Sequence, residues 1–189
     1  MEQKFEIKSG AVVLSDPCYE LGTWCQGLFF NVKNGEWRGE VVHLDAGDWG
    51  RRVAALVSYH KDYPTTADDI KADGILLPFH GGVDSGQFGH FDHEGYRKDE
   101  TINGVARICN KPEDIICEDE PWYSMCCDRT LGGDGFGTIP LGVIACSGYG
   151  DGSYDTYGIQ NGEGQYVGFA TFFITDEDME DDEEVDDKN

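Results

Sequence analysis

At 189 residues the chain can bury one sizeable core without covalent staples, and its 26 glycines and 12% aromatics favour strands joined by tight turns over helices. The formal net charge of -23 is unevenly placed: ten acids at 176–187 with Lys188 give that end about -9 and leave about -14 on the remainder. So acidic a body repels nucleic-acid phosphates and anionic lipid, which argues against direct binding to either without a local basic patch or a metal bridge, and the best basic cluster is Arg51-Arg52.

The opening ten residues are polar and hold no apolar segment of the kind a secretory leader needs. Phe5, Ile7 and 11–14 read as one opening strand, ending at Ser15-Asp16-Pro17-Cys18-Tyr19, where proline stops a ladder. Asp16 stands before that proline in an extended or turn conformation, as a turn cap or as a positioned site residue. Residues 27–33 and 36–44 flank Asn34-Gly35, whose tolerance of positive φ predicts a hairpin. A third strand at 52–60 follows a turn at 45–48, which makes a meander, with Val53, Ala55, Val57 and Tyr59 on one face.

Threonines 65 and 66, carboxylates at 68 and 69 and the stop at Gly74 predict a short helix, followed by a strand at 75–79. Residues 80–93 are polar and punctuated by glycine. His80, Asp84, His90 and Asp92 could in principle form a mixed nitrogen and oxygen metal site, although their spacing matches no standard motif. Residues 94–100 read as loop and 101–109 as strand, and Lys111-Pro112-Glu113-Asp114 as the start of another short helix. At 121–131 the helical spacing of Trp122, Met125, Cys126 and Arg129 favours a helix. The loop Gly132-Gly133-Asp134-Gly135-Phe136-Gly137 lacks the Lys-Ser/Thr that grips phosphate and magnesium in a P-loop.

Residues 138–146, 154–160 and 165–175 read as strands of a central antiparallel unit, with Asn161-Gly162 as a turn. Between the first two lies Ser147-Gly148-Tyr149-Gly150-Asp151-Gly152-Ser153-Tyr154. It reads equally as a tight strand connection whose Asp side chains cap their own amides or as a loop where glycines admit a ligand to the backbone and nothing bulky hides the carboxylate of Asp151. The fold class expected is mainly β, a β-rich α+β arrangement of antiparallel sheets forming a sandwich or open barrel with two or three short helices. Residues 1–175 form one domain in this reading, and 176–189 a disordered acidic tail.

The seven cysteines, at 18, 25, 109, 117, 126, 127 and 146, form no Cys-x-x-Cys pair, and their number is odd. That argues against a disulfide framework and a structural zinc, and for an intracellular protein with reduced thiols. No apolar run approaches the length needed to span a bilayer.

Three passages carry a resemblance: Val83-Asp84-Ser85-Gly86-Gln87 with Phe91-Asp92, then 147–154, then the hydrophobic strand at 167–173. Together they resemble the bacterial and phage proteins grouped as domain of unknown function 4241, and Ser15-Asp16-Pro17-Cys18-Tyr19 is similar to an Asp-Pro-Cys-Tyr motif of phage-encoded relatives. The resemblance implies a β-rich fold and a phage or bacterial setting, with the host cell cytoplasm as location if the protein is phage-encoded. It implies no activity.

The function expected is that of a non-catalytic, cytoplasmic binding protein without a cofactor. Its partner is a small polar ligand or a basic protein surface, held by Asp16, Tyr19, Asp84, Ser85, Gln87, Asp151, Ser153 and Tyr154. Two other readings stay open. One is an acidic mimic of nucleic acid that occupies a DNA- or RNA-binding protein. The other is a metal-assisted hydrolase built on Asp16, Asp84, Asp92, Asp151 and Asp155 with His90 as base, or on a Cys18 nucleophile.

Overall fold

Alternating burial along the strands sets the architecture. In strand β2 (Ala11–Ser15) Val12 and Leu14 enter one apolar cluster while Val13 enters another. In β5 (Arg51–His60) Leu56 faces the first cluster, and Ala55 and Val57 face a third. Strands buried on both faces need cover on both sides. The computed structural model describes residues 3–109 and 119–175, and supplies that cover as a two-sheet sandwich with one helix on the outside of each sheet.

The larger sheet has six strands in the order β1 (Gln3–Ile7), β4 (Gly35–Asp45), β5, β11 (Tyr166–Phe172), β10 (Gly152–Gln160), β6 (Ile75–Val83). The five-stranded sheet runs β3 (Gly27–Phe30), β2, β7 (Gln87–Asp92), β9 (Gly142–Cys146), β8 (Phe136–Ile139). All the strand pairings are antiparallel. Phe5, Trp37, Leu56, Phe88, Val143 and Phe169 fill the space between the sheets. Gly39 of β4 lets them close: a Cβ there would stand 2.6 Å from Val143 Cγ2. Helix α1 (Ala67–Asp73) lays Ala67 and Ile70 over the larger sheet, and of the two threonines before it Thr66 is the cap, in a reciprocal capping box with Asp69. Helix α2 (Pro121–Leu131) lays Trp122, Met125 and Cys126 over the smaller one.

The mainly β class, the 45–48 turn and the helices at 66–74 and 121–131 agree with the sequence. Four expectations do not. The single opening strand is two strands in different sheets, with Gly10 at φ 69° turning the corner between them. The Asn34-Gly35 hairpin is absent, because β3 pairs with β2 while β4 pairs with β1 and β5, so the chain crosses between sheets there. Residues 138–146 are a hairpin, broken where Pro140 lacks an N–H to donate. They lie in the five-stranded sheet, so they form no single antiparallel unit with 154–160 and 165–175, which pair in the larger one. Residues 101–109 form no strand; a short 3-10 turn over Asp99–Ile102 leads into irregular chain. The helix expected at 111–114, Cys117 and the acidic tail at 176–189 lie outside the described residues. No helix among the described residues is long and apolar enough to cross a membrane.

Candidate functional site

The loops singled out in the sequence meet at one end of the sandwich. Gly152 at the start of β10 pairs with Val83 at the end of β6, and Ser147 N–H donates to Gly86 O at 3.0 Å. Asp16, at the end of β2, joins them from below. Its Oδ2 accepts from Asp84 N–H (2.9 Å) and Ser85 N–H (2.7 Å), and its Oδ1 from Cys18 N–H (2.8 Å) and the Ser85 hydroxyl (2.6 Å). The residue is fully buried. Of the two readings open for Asp16, the structure gives the turn cap: a carboxylate with both oxygens engaged and no surface has nothing left for a ligand.

The neighbours of Asp16 are similarly committed. The half-buried Tyr19 has its pKa raised by burial and then by donating to Asp84. Burial, then a hydrogen bond to Asp16, pushes the Cys18 thiol up to about 12, so it stays protonated at neutral pH, unlike an activated nucleophile. Gln87 is buried, accepting from the Thr130 hydroxyl at 3.1 Å and donating to Cys127 Sγ at 3.5 Å. The Tyr154 hydroxyl sits 2.7 Å from Gly150 O and 3.0 Å from Ser147 O, bracing the loop from within. Only Asp84, Asp151 and Ser153 of the expected contacts are exposed, and Asp151 and Ser153 make no side-chain hydrogen bond to a described residue.

The four metal candidates are dispersed. His90 is sealed between the sheets, its Nδ1 2.8 Å from the Ser58 hydroxyl and its Nε2 2.9 Å from that of Thr171, and burial lowers its pKa to about 3. Asp92 is fully buried and accepts from four main-chain amides, those of Lys8, Ser9, Glu94 and Gly95. His80 lies at the surface, 2.8 Å from Asp155. Among the described residues no three His, Cys, Asp or Glu side chains gather to hold an ion.

A different set converges on the same end of the fold. A cleft of about 360 Å³ opens between the β4–β5 hairpin, which contributes His43, Arg51 and Arg52, and the glycine loop 133–135, with Thr130, Cys146 and Gly148 completing its wall. That volume is within the range of small-molecule sites, roughly 300–1,000 Å³. Gly135, at φ 77°, accepts from Cys146 N–H at 2.8 Å, which ties the loop to the end of β9. His43 bridges the two walls: its Nε2 meets Asp134 O at 2.9 Å, and its Nδ1 meets Arg51 Nη2 at 3.0 Å. A carbonyl only accepts and a guanidinium only donates, so the ring proton is on Nε2.

Arg51 approaches the Asp134 carboxylate at 3.7 Å, a long contact between exposed groups. Arg52 is half-buried and spends only its Nε, on Trp49 O at 2.9 Å. Its two Nη groups have no partner and no carboxylate pairs with it among the described residues. The Cys146 thiol is raised by burial, against which the Arg52 charge works. In the sequence Arg51-Arg52 is only the best basic cluster of an acidic chain, and the 132–137 glycines lack the residues of a P-loop. Their juxtaposition across some 80 residues of chain is written in neither stretch.

Scans of the chain against protein-family models, curated proteins and solved structures match nothing.

Proposed function

We propose that this protein is a non-catalytic binding protein, and that the small polar ligand it takes is an anion seated on Arg52 in the cleft between the β4–β5 hairpin and the glycine loop. One observation carries the reading. In a chain of net charge -23, a half-buried guanidinium without a carboxylate partner among the described residues faces a cleft with its forked Nη donors unspent on them. Guanidinium matches carboxylate and phosphate oxygens in a planar, two-pronged geometry, and removal from bulk water strengthens each bond. Arg51 adds a second positive charge, and His43 fixes its direction.

The groups facing the cleft support binding rather than turnover. Cys146 is held protonated by burial, and both ring nitrogens of His43 are engaged. Titration calorimetry with inorganic phosphate tests the reading. We expect saturable binding of one phosphate per chain, weakened about tenfold or more in Arg52→Ala, the order expected for a charge-assisted fork. Failure of phosphate to bind the unsubstituted protein would sink the reading.

A further inference from the structure

Two large rings stand beside the arginine cleft with their faces in water. Trp49, at the tip of the β4–β5 hairpin, is 62% exposed, and Tyr149, on the loop between β9 and β10, is 43% exposed. Neither belongs to the apolar clusters that hold the fold. They come from loops about a hundred residues apart in sequence and still meet, with ring centroids 6.1 Å apart and planes at 67°. In that edge-to-face arrangement each ring covers little of the other, so a broad aromatic face stays open.

Both rings are tied to the cleft through its own lining. Trp49 offers its carbonyl to Arg52 Nε, so the same bond that aims the guanidinium fixes the backbone carrying the indole. Tyr149 follows Gly148, a wall residue at φ 62° whose hypothetical Cβ would stand 2.9 Å from Ile174 Cγ1; the phenol is thus held out by a turn packed on the core. Chain geometry also limits the motion of the hairpin tip, since Ala46 N–H donates to Gly50 O at 3.0 Å and Trp49 N–H to Ala46 O at 3.1 Å. Exposed rings on a fixed turn offer stacking area at low entropic cost.

Resting on the proposed anion site, we infer that the ligand is an anion carrying a planar ring, of the mononucleotide class: its phosphate lies on Arg52 and its base stacks on the open face of Trp49 or Tyr149. Phosphate recognition by the guanidinium and base recognition by π-stacking are independent contributions, and stacking on a protein ring accepts any base. The charges that face such a ligand include Asp134 as well as the two arginines. A monophosphate is therefore favoured over a di- or triphosphate, whose extra charge would meet that carboxylate and the acidic body.

The experiment compares AMP, ribose 5-phosphate and inorganic phosphate by calorimetry, with Trp49 fluorescence as a second readout. AMP is expected to bind about tenfold or more tightly than ribose 5-phosphate, the order that one stacked base contributes. Trp49→Ala or Tyr149→Ala should remove that margin while leaving phosphate affinity unchanged, and both side chains are exposed enough for either variant to fold. Equal affinity for AMP and ribose 5-phosphate, with phosphate still bound, would overturn the ring inference alone. Loss of phosphate binding in the ring variants would also overturn it, by showing that the rings shape the anion site instead of stacking. Absence of binding by all three probes would remove the anion site and this inference together.

Discussion

Arg97 and Arg52 show what separates a structural polar group from a site on this molecule. Arg97 lines a second, more acidic cleft of about 260 Å³ with Glu20, Asp99, Asp119 and Glu120, and both of its Nη groups are in use. Its Nη1 donates to Pro17 O at 2.8 Å and Cys18 O at 3.2 Å, and its Nη2 meets Glu20 at 3.1 Å and Glu120 at 3.2 Å. Among the described residues Arg52 has one bond, to a carbonyl, and a fork left over. Both residues are arginines flanking the loops in an acidic protein, so residue type and location do not tell them apart. The unspent donor capacity does, because a satisfied polar group has already exchanged water for protein and gains little by exchanging again.

The same division holds for the carboxylates, and there the expected effects are largest. Asp16, Asp92 and Asp128 are fully buried and each holds the main chain of a distant segment; Asp128 takes Ile108 N–H, Cys109 N–H and the Arg129 guanidinium. Asp16→Ala would strand the Cys18, Asp84 and Ser85 amides and should cost about 3 kcal/mol or more in denaturant unfolding, with the transition still cooperative. A loss below about 1 kcal/mol would mean that water replaces the carboxylate and that Asp16 is not the cap described.

His90 extends the comparison to pH. Its folded pKa of about 3 lies below the ordinary 6.5, so the unfolded chain takes up a proton that the folded chain refuses. Stability from this group is therefore complete above about pH 6.5 and is lost as pH falls toward 3, at up to about 1.4 kcal/mol per pH unit. His90→Asn should be less stable than the parent at pH 7 by about 2 kcal/mol, with a flatter decline between pH 6 and 4. Parallel declines in the two proteins would show that the ring does not stay neutral in the fold.

Local patterns made the satisfied part of the molecule legible and left the unsatisfied part hidden. The helix start at the 65–66 threonines with acids at 68 and 69, the turn at 45–48 and the spacing of Trp122, Met125 and Cys126 are written within a few residues, and each is found. Asn34-Gly35 is an equally local signal, but it cannot say whether the strands on either side share a sheet. The register Phe5↔Trp37 and Val12↔Phe29 assigns them to different sheets, and Asn34 Oδ1 instead accepts from Gly10 N–H at 2.7 Å, bracing the crossing. The sequence reads Asp16 and Asp84 as parts of one binding surface, whereas in the fold they meet because Asp16 accepts from the Asp84 and Ser85 amides, nearly 70 residues away. The arginine cleft needs the β4–β5 tip, the 133–135 loop and Gly148 to arrive together, and no periodicity within any of them announces the other two.

The two arginines themselves give the next test. Arg97→Ala should destabilise by about 1–2 kcal/mol, since it removes bonds to two carbonyls and leaves acids facing one another, without affecting phosphate binding. Arg52→Ala should stay within about 0.5 kcal/mol of the parent in stability and bind phosphate about tenfold or more weakly. Swapped phenotypes, read by denaturation and calorimetry on the same samples, would reverse the assignment of structure and site.

The smallest effect belongs to Asp151, which the glycine-rich sequence made the most conspicuous carboxylate. It is exposed, makes no side-chain hydrogen bond to a described residue, and sits on the loop whose Gly148 lines the arginine cleft. Removing its charge costs the fold nothing that the structure records, so Asp151→Asn should shift stability by less than about 0.5 kcal/mol. Its influence on an anion is repulsive and partly screened at physiological salt. The substitution should leave phosphate affinity equal or raise it slightly, more at low salt than at high. A weaker phosphate isotherm in Asp151→Asn would mean that the carboxylate attracts the ligand, and the partner of this end of the sandwich would then be a cation or a basic protein face, with Arg52 as bystander.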